Sequence, residues 1–201
     1  MRLLVIETTG QACSVALFDG EDLVAARHED IRRGHGEALI PWIADLPQGG
    51  RADSILVGCG PGSFTGVRIG IAAARALGLG WGVPVTGCSS LALLAAGFAA
   101  PDSFLVAIEG GHGELFVQSF TVEPLAMASP LQSLTPAAAA AQFAVPLVVG
   151  SGAEQLVAAR GSGIAHRGQA CAANAVMLGG DHRNLEPSPI YGRAVDARPM
   201  V

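Results

Sequence analysis

The residue types most able to support chemistry cluster in one stretch, Gly58-Cys59-Gly60-Pro61-Gly62-Ser63-Phe64-Thr65-Gly66-Val67-Arg68-Ile69-Gly70. The apolar run Ser54-Ile55-Leu56-Val57 precedes it and suits a strand buried on both faces of a parallel sheet. Val67 to Gly80 follows it. That segment lacks proline and is rich in alanine, leucine and isoleucine, which predicts a helix. Glycine permits positive φ and close backbone approach, and Pro61 sets one φ near the value a tight turn needs. Strand, glycine turn and helix together present backbone N–H groups at a helix start, where an anion can bind. Gly60, Gly62 and Ser63 are the candidate anion-loop residues. The alternative is that these glycines only let helix and sheet pack closely, and the sequence leaves both open.

Two nucleotide fingerprints fail in this stretch. Walker A needs a lysine, and all 12 basic residues of the Lys+Arg count are arginines. In the Rossmann pattern, Thr65 stands where the third glycine belongs, and no Asp or Glu lies between Thr65 and Cys88 to hold a ribose. Metal chemistry has no evident seat either. The histidines are His28, His35, His112, His166 and His182, and no two are four apart. Cys13, Cys59, Cys88 and Cys171 form no C-x-x-C pair, so they read as buried thiols of a reducing cytosol.

The elements that must position these residues follow from composition and pattern. A chain of 201 residues suits one domain or two small lobes. Hydrophobic residues make up 50% and aromatics only 5%, so the core must be aliphatic, with closely approaching backbones. Only 14% of residues are charged, which suggests that a partner covers part of the surface. A net charge of -5 argues against autonomous binding of tRNA or DNA. The opening run ends at Glu7 and is no signal peptide. Ala76 to Ala100 is uncharged, but its glycines and Pro84 break it into helix, turn, strand and helix rather than a membrane span.

In order, Leu3 to Ile6 is a strand and Glu7-Thr8-Thr9-Gly10 a polar turn. Ala12 to Phe18 and Leu23 to Arg27 are strands joined at Asp19-Gly20. His35 to Leu46 reads as a helix with Leu39, Ile43 and Leu46 on one face, Trp42 beside them and Pro41 inside. Pro84 to Gly87 is a short strand, and Ser89 or Ser90 caps a helix from Leu91 to Ala99. Ala100-Pro101-Asp102 reads as a linker. Phe104 to Ile108 and Leu115 to Thr121 form a hairpin, and Val122 to Leu134 is loop or edge. Thr135-Pro136 opens a helix to Gln142, and Leu147 to Gly150 is a strand. Ser151-Gly152-Ala153-Glu154 reads as a capping box opening a helix to Arg160, and Gln169 to Leu178 as a final apolar helix.

Strand, acidic-hydroxyl turn and hairpin strand resemble the opening of sugar kinases, actin and Hsp70-type proteins, where the turn faces phosphate and metal. By that resemblance Glu7 and Thr8 join the candidate nucleotide loop; on the residues alone, Glu7 reads instead as a solvated turn carboxylate. A closer resemblance follows. Gly60-Pro61-Gly62-Ser63-Phe64-Thr65-Gly66-Val67-Arg68-Ile69-Gly70 resembles the signature of the TsaB (YeaZ) family. Leu4 to Thr9 with Cys13 to Ala16, His35 to Pro41, Gly113 to Phe116 and Pro189-Ile190-Tyr191 extend the likeness over nearly the whole chain. It implies an α/β, actin-like ATPase or RNase H-like (ASKHA) fold of two lobes, with mixed sheets flanked by helices. Residues 1–101 would be the first lobe, carrying the glycine loop and its helix. Residues 102–201 would be a shorter second lobe whose tail can return to the first.

The resemblance also implies a cytoplasmic, non-catalytic scaffold in the threonylcarbamoylation of the tRNA adenosine next to the anticodon. The implied partners are a TsaD-type transferase paralogue and a TsaE-type ATPase, with a homodimer when alone and tRNA reached only through the complex. No membrane is implied. No cofactor is implied for the chain alone, and ATP or ADP would belong to the complex. In the catalytic paralogue two histidines four apart bind a metal; here Ser90 and Leu94 stand at those positions, and neither suits a metal. Glu109-Gly110-Gly111-His112 departs from the Asp and Arg the family carries in that turn. The competing reading is a stand-alone actin-like kinase or glycoprotease-like metallopeptidase.

On the helix after the loop, Gly66, Gly70, Ala74 and Gly78 form a small-residue stripe, suited to lying close on a sheet. Arg68, Ala72, Arg75 and Leu79 fall on the opposite side, an apolar surface rimmed by arginine, which reads as a protein interface. The family pairs through its first two helices, so Leu39, Trp42 and Ile43 are added to the expected interface.

Overall fold

The structure, a computed structural model, describes residues 1–100 and 102–192. Arg2–Glu7 (β1), Ala12–Asp19 (β2) and Asp22–Asp30 (β3) form an antiparallel meander. On its other edge β1 pairs in parallel with Ser54–Gly58 (β4), which pairs in parallel with Val85–Cys88 (β5). The order of this first sheet is therefore β3-β2-β1-β4-β5. Helices His35–Asp45 (α1) and Phe64–Trp81 (α2) flank β4 in sequence, and Ser90–Ala96 (α3) follows β5.

A second sheet holds Phe104–Gly111 (β6), Glu114–Val122 (β7), Leu125–Met127 (β8), Gln132–Leu134 (β9), Leu147–Val149 (β10) and Ile164–His166 (β11). Its order is β11-β10-β6-β7-β8, with β9 also on β7. Pro136–Gln142 (α4) and Ala153–Arg160 (α5) pack on it. Two sheets flanked by helices give the mixed α/β architecture of the actin-like class.

Alternation along the strands sorts the apolar side chains into layers. Leu4 and Ile6 of β1 face α1 and α2 with Ile55 and Val57 of β4. Val5 and Leu56 point the other way, into a central cluster with α3 and the inward residues Phe104, Val106 and Phe120 of the second sheet. Leu105, Ala107 and Val117 face away from that centre toward α4 and α5. β4 is thus buried on both faces, as its uninterrupted apolar run predicts.

Several local expectations are corrected. Gln169 to Leu178 is not an α-helix; only Ala172–Met177 coils, as a 3-10 turn. Ala172, Ala175 and Leu178 are its buried residues, and a spacing of three matches the 3-10 repeat rather than 3.6. The capping box at 151–154 does not form. Ser151 Oγ accepts the N–H of Glu109, Glu154 pairs with Arg167, and Gly152 is the N-cap of α5. α3 stops at Ala96, and the stretch 122–134 holds the short strands β8 and β9. Pro101 of the expected linker and residues 193–201 lie outside the described residues. Among the described residues, no helix is long and apolar enough to cross a membrane.

The small-residue stripe of α2 lies against the first sheet. Gly66, Gly70, Ala74 and Gly78 are all buried. A Cβ at Gly66 would meet the carbonyl oxygen of Thr8, one at Gly70 the hydroxyl of Thr8, and one at Gly78 the side chain of Val85. Gly80, on the exposed side near the end of the helix, has nothing within 4 Å of its Cβ position. Gly66→Ala should therefore cost about 2 kcal/mol or more by forcing α2 off the sheet. Gly80→Ala should gain about 0.5–1 kcal/mol from helix propensity alone. Urea unfolding of the two variants checks both signs.

Candidate functional site

The glycine loop is zipped to the turn that follows β1. The backbone N–H of Ser63 donates to the Thr9 carbonyl at 2.7 Å, and the Thr8 hydroxyl donates to the Gly66 carbonyl at 2.7 Å. A Cβ at Gly62 would meet the Thr9 carbonyl oxygen. The Gly66 N–H is capped by Ser63 Oγ at 3.2 Å, and the Val67 N–H bonds the Ser63 carbonyl at 2.9 Å. Three N–H groups at the start of α2 are thus engaged within the chain. Glu7, Thr8, Gly60, Gly62 and Ser63 do come together, and their contacts fasten the loop to the 7–9 turn.

Glu7 belongs to the same contact network. Its side chain is buried, and its carboxylate accepts the Thr9 N–H at 2.6 Å and the Ser90 hydroxyl at 2.7 Å. It lies across Gly58, where a Cβ would strike the carboxylate. Burial pushes the Glu7 carboxyl above its ordinary value, against the lowering effect of the Thr9 and Ser90 hydrogen bonds. A solvated turn carboxylate is therefore not what Glu7 is. Ser90 also accepts the Gly60 N–H at 3.2 Å, so it links β1, the loop and α3. Leu94, the other position of interest on α3, belongs to the central core.

The chain's last described residues return to this loop. Leu185 and Gly87 exchange backbone hydrogen bonds, extending the β5 edge. The Ile190 N–H donates to the Cys59 carbonyl at 2.8 Å. Arg68 stacks on Phe64, 3.3 Å from the ring centroid, and donates to the Tyr191 hydroxyl at 2.6 Å. Arg68 is thus a clasp for the tail at the start of α2. Tyr191 was not among the expected site residues, and no local pattern announces a partner 123 positions away.

On the outer side of α2, Ala72, Arg75 and Ala76 are exposed, Phe64 is 66% exposed and Leu79 is 87% exposed. α1 lies beside α2, with Gly36 against Ile69. Here the expectation for Leu39, Trp42 and Ile43 is corrected. All three are buried in the core under α1, and Trp42 is further covered by the Arg27 guanidinium at 4.2 Å. Their i, i+3/i+4 spacing is the core-facing stripe of an amphipathic helix. The residues α1 presents outward are Gly36, Glu37, Ile40, Pro41, Ala44 and Asp45, with Ile40 49% exposed. Ile40 and Phe64 were missed, and marking the stripe as core would have found Ile40.

Comparison with known proteins now bears on this geometry. The family model described as "TsaD: tRNA N6-adenosine threonylcarbamoyltransferase" matches residues 29–163. The chain belongs to this family, in its TsaB (YeaZ) branch. The Escherichia coli K12 protein named "tRNA threonylcarbamoyladenosine biosynthesis protein TsaB" is 39% identical over 124 residues, 58% of this chain and 53% of that protein. A Bacillus subtilis protein of the same name is 32% identical over 103 residues, 48% of this chain and 44% of that protein. The chain spans about half the length of the curated relatives it matches. The solved structure "YeaZ from Pseudomonas aeruginosa" superposes with a TM-score of 0.79 at 25% identity, covering 94% of this chain and 99% of that one. A second Pseudomonas aeruginosa structure, described as uncharacterized with similarity to peptidase YEAZ, gives 0.81 at 27% identity over 96% and 99% of the two chains.

The buried Glu7 makes stability depend on pH. The folded chain holds its proton where the unfolded chain has already released it. Its contribution is therefore fully present below the ordinary carboxylate value, about pH 4.3, and is lost as pH rises through the raised value. Glu7→Gln should flatten this decline, so that the variant's melting temperature falls less than the parent's between about pH 4.5 and 7. Thermal melts across that range check it, and parallel curves would contradict it.

Proposed function

We propose that the chain is a non-catalytic accessory subunit of tRNA threonylcarbamoyladenosine biosynthesis, docking on a TsaD-type transferase through the outer face of α2 and the neighbouring surface of α1. The observation that carries this reading is the 87% exposed Leu79 on a helix face with few charges. An apolar centre of Ala72, Ala76 and Leu79, edged by Arg75, has the composition of an interface core with its rim. The names of the relatives support the pathway, and the closed glycine loop supports an accessory role. A TsaE-type ATPase completes the complex, the same face supports self-association when the chain is alone, and the compartment is the cytoplasm. ATP or ADP belongs to the assembled complex, and tRNA is reached only through it, in keeping with a net charge of -5.

A stand-alone kinase or peptidase gains no support from the site. Ser90 is engaged with Glu7 and Gly60, and Leu94 is part of the core. The deciding experiment is reconstitution with the cognate transferase, scoring tRNA modification with and without this chain.

Leu79→Glu separates interface from core. It should leave the melting temperature within about 2 °C of the parent, since the side chain touches little in the free chain. It should raise the dissociation constant for the transferase, and for self-association, by about tenfold or more, because a carboxylate would be buried unpaired. Sedimentation and titration calorimetry read the two effects. A folded variant that binds normally would place the interface elsewhere.

A further inference from the structure

The ends of two buried strands lie beneath a segment that is not itself buried. Val57 and Gly58 of β4, Cys59 and Gly60 of the loop, and Gly87 and Cys88 of β5 are all buried. Residues 185–191 run across them, and each of these is half-buried or exposed. The cover is close. A Cβ at Gly87 would stand 3.0 Å from the Glu186 carbonyl oxygen, and one at Gly60 would stand 3.2 Å from that of Ile190. The Cys59 sulfur lies 3.7 Å from the Glu186 carbonyl oxygen.

The ties that hold this segment are few. Leu185 exchanges two backbone hydrogen bonds with Gly87, the Ile190 N–H donates to the Cys59 carbonyl, and Arg68 donates to the Tyr191 hydroxyl. Between these ties Pro187 and Pro189 have no N–H to give, and their fixed φ stiffens the span. Ile190 packs against the core beside β4, but Leu185 and Tyr191 are 36% and 51% exposed. A segment that buries so little apolar surface opens at a fraction of the free energy of global unfolding. Stiff and tied at its two ends, it opens as one piece.

The tie at Tyr191 differs from the others in joining two side chains in solvent. Arg68 is exposed, with its guanidinium 3.3 Å from the Phe64 ring centroid and 5.3 Å from that of Tyr191. A cation stacked on aromatic rings is held weakly in water and more strongly once desolvated. Phe64 and Arg68 continue the exposed stripe of Ala72, Arg75 and Leu79 at three- and four-residue spacing along α2.

We propose that residues 185–191 are a strap that opens as a unit off the ends of β4 and β5, that Arg68 and Tyr191 are its latch, and that a partner docked on the outer face of α2 tightens the latch. The last part rests on the docking reading given above. A partner seated there takes Arg68 and the two rings out of water, which strengthens their contact in the closed state. By reciprocity, the closed strap favours docking to the same degree. Opening leaves the Gly87 N–H and carbonyl and the Cys59 carbonyl without these partners, and β5 becomes a bare sheet edge.

The test uses the full chain. In the parent, hydrogen exchange at the Gly87, Leu185 and Ile190 amides should give one opening constant within about twofold. That constant should stay nearly independent of urea well below the unfolding transition, while the amides of β1 follow the global urea dependence. Labelling of Cys59 by iodoacetamide, mapped by mass spectrometry, should report the same opening. Tyr191→Ala should speed both readouts by about fivefold or more, and Tyr191→Phe by less, since it keeps the ring. The strap is overturned if the three amides carry the global urea dependence or open with unrelated constants. The latch is overturned if folded Tyr191→Ala leaves both readouts unchanged.

With the transferase added to saturation, as read by titration calorimetry, Cys59 labelling in the parent should slow by a further fivefold or so, about the factor by which Tyr191→Ala weakens binding. Binding with unchanged Cys59 labelling overturns the coupling alone. Equal slowing in Tyr191→Ala overturns it too, because direct cover by the partner would then be the cause. Absence of binding overturns the docking reading and the coupling together, and the exchange and labelling of the isolated chain still decide the strap and its latch.

Discussion

Backbone-to-backbone contact between the start of α2 and the turn after β1 is the constraint on which the rest of the molecule depends. The Thr8 and Thr9 carbonyls occupy the space where side chains at Gly66 and Gly62 would be. Such contact is available only to residues without a Cβ. It sets the depth of α2 on the first sheet, and with it the height of the outer helix face above the surface. It also engages the Ser63 and Gly66 N–H groups, through Ser63 to Thr9 and the Ser63 cap on Gly66. One arrangement of glycines thus closes a loop and presents a helix.

The interior around that contact is polar and fully engaged. Glu7, Ser90 and Gly60 form a chain of hydrogen bonds linking β1, α3 and the loop, all buried. A carboxyl in such a place strains against its ionised form, and its partners are what make its presence tolerable. Along the cross-strand row from Glu7 through Ser14 to His28, burial gives way to exposure, and the row's chemistry changes with it. Glu7 at the buried end is raised by desolvation, while His28 at the open end is raised chiefly by its bond to Cys171.

The helix α2 carries its two roles on opposite sides. Its inner stripe of Gly66, Gly70, Ala74 and Gly78 belongs to the fold, and its outer positions Ala72, Arg75 and Leu79 are exposed. Arg68, placed by spacing on the outer side, has an intramolecular task, stacking on Phe64 and holding Tyr191. The neighbouring α1 follows ordinary amphipathic logic, with Leu39, Trp42 and Ile43 inward and Ile40 outward.

Local pattern was enough for most of the elements. The apolar run of β4, the hairpin at Asp19-Gly20, the Thr135-Pro136 start of α4 and the glycine stripe of α2 are short-range signals with a direct physical cause, and all appear where expected. Two short-range signals were overruled by tertiary contacts. Ser151 found the Glu109 N–H instead of its own helix, and residues 172–178 took a three-residue repeat because the surface beneath them admits only Ala172, Ala175 and Leu178. The site was legible in its residue types but not in its state. Glu7 and the glycine loop can be named from sequence, yet whether they hold an anion depends on how closely two distant backbones approach. The contact of Cys171 with Ser14 spans 157 positions and exists only because the chain's return brings the two together. Sequence determines which groups are available; the packed structure decides which are buried, which are paired, and therefore which can react.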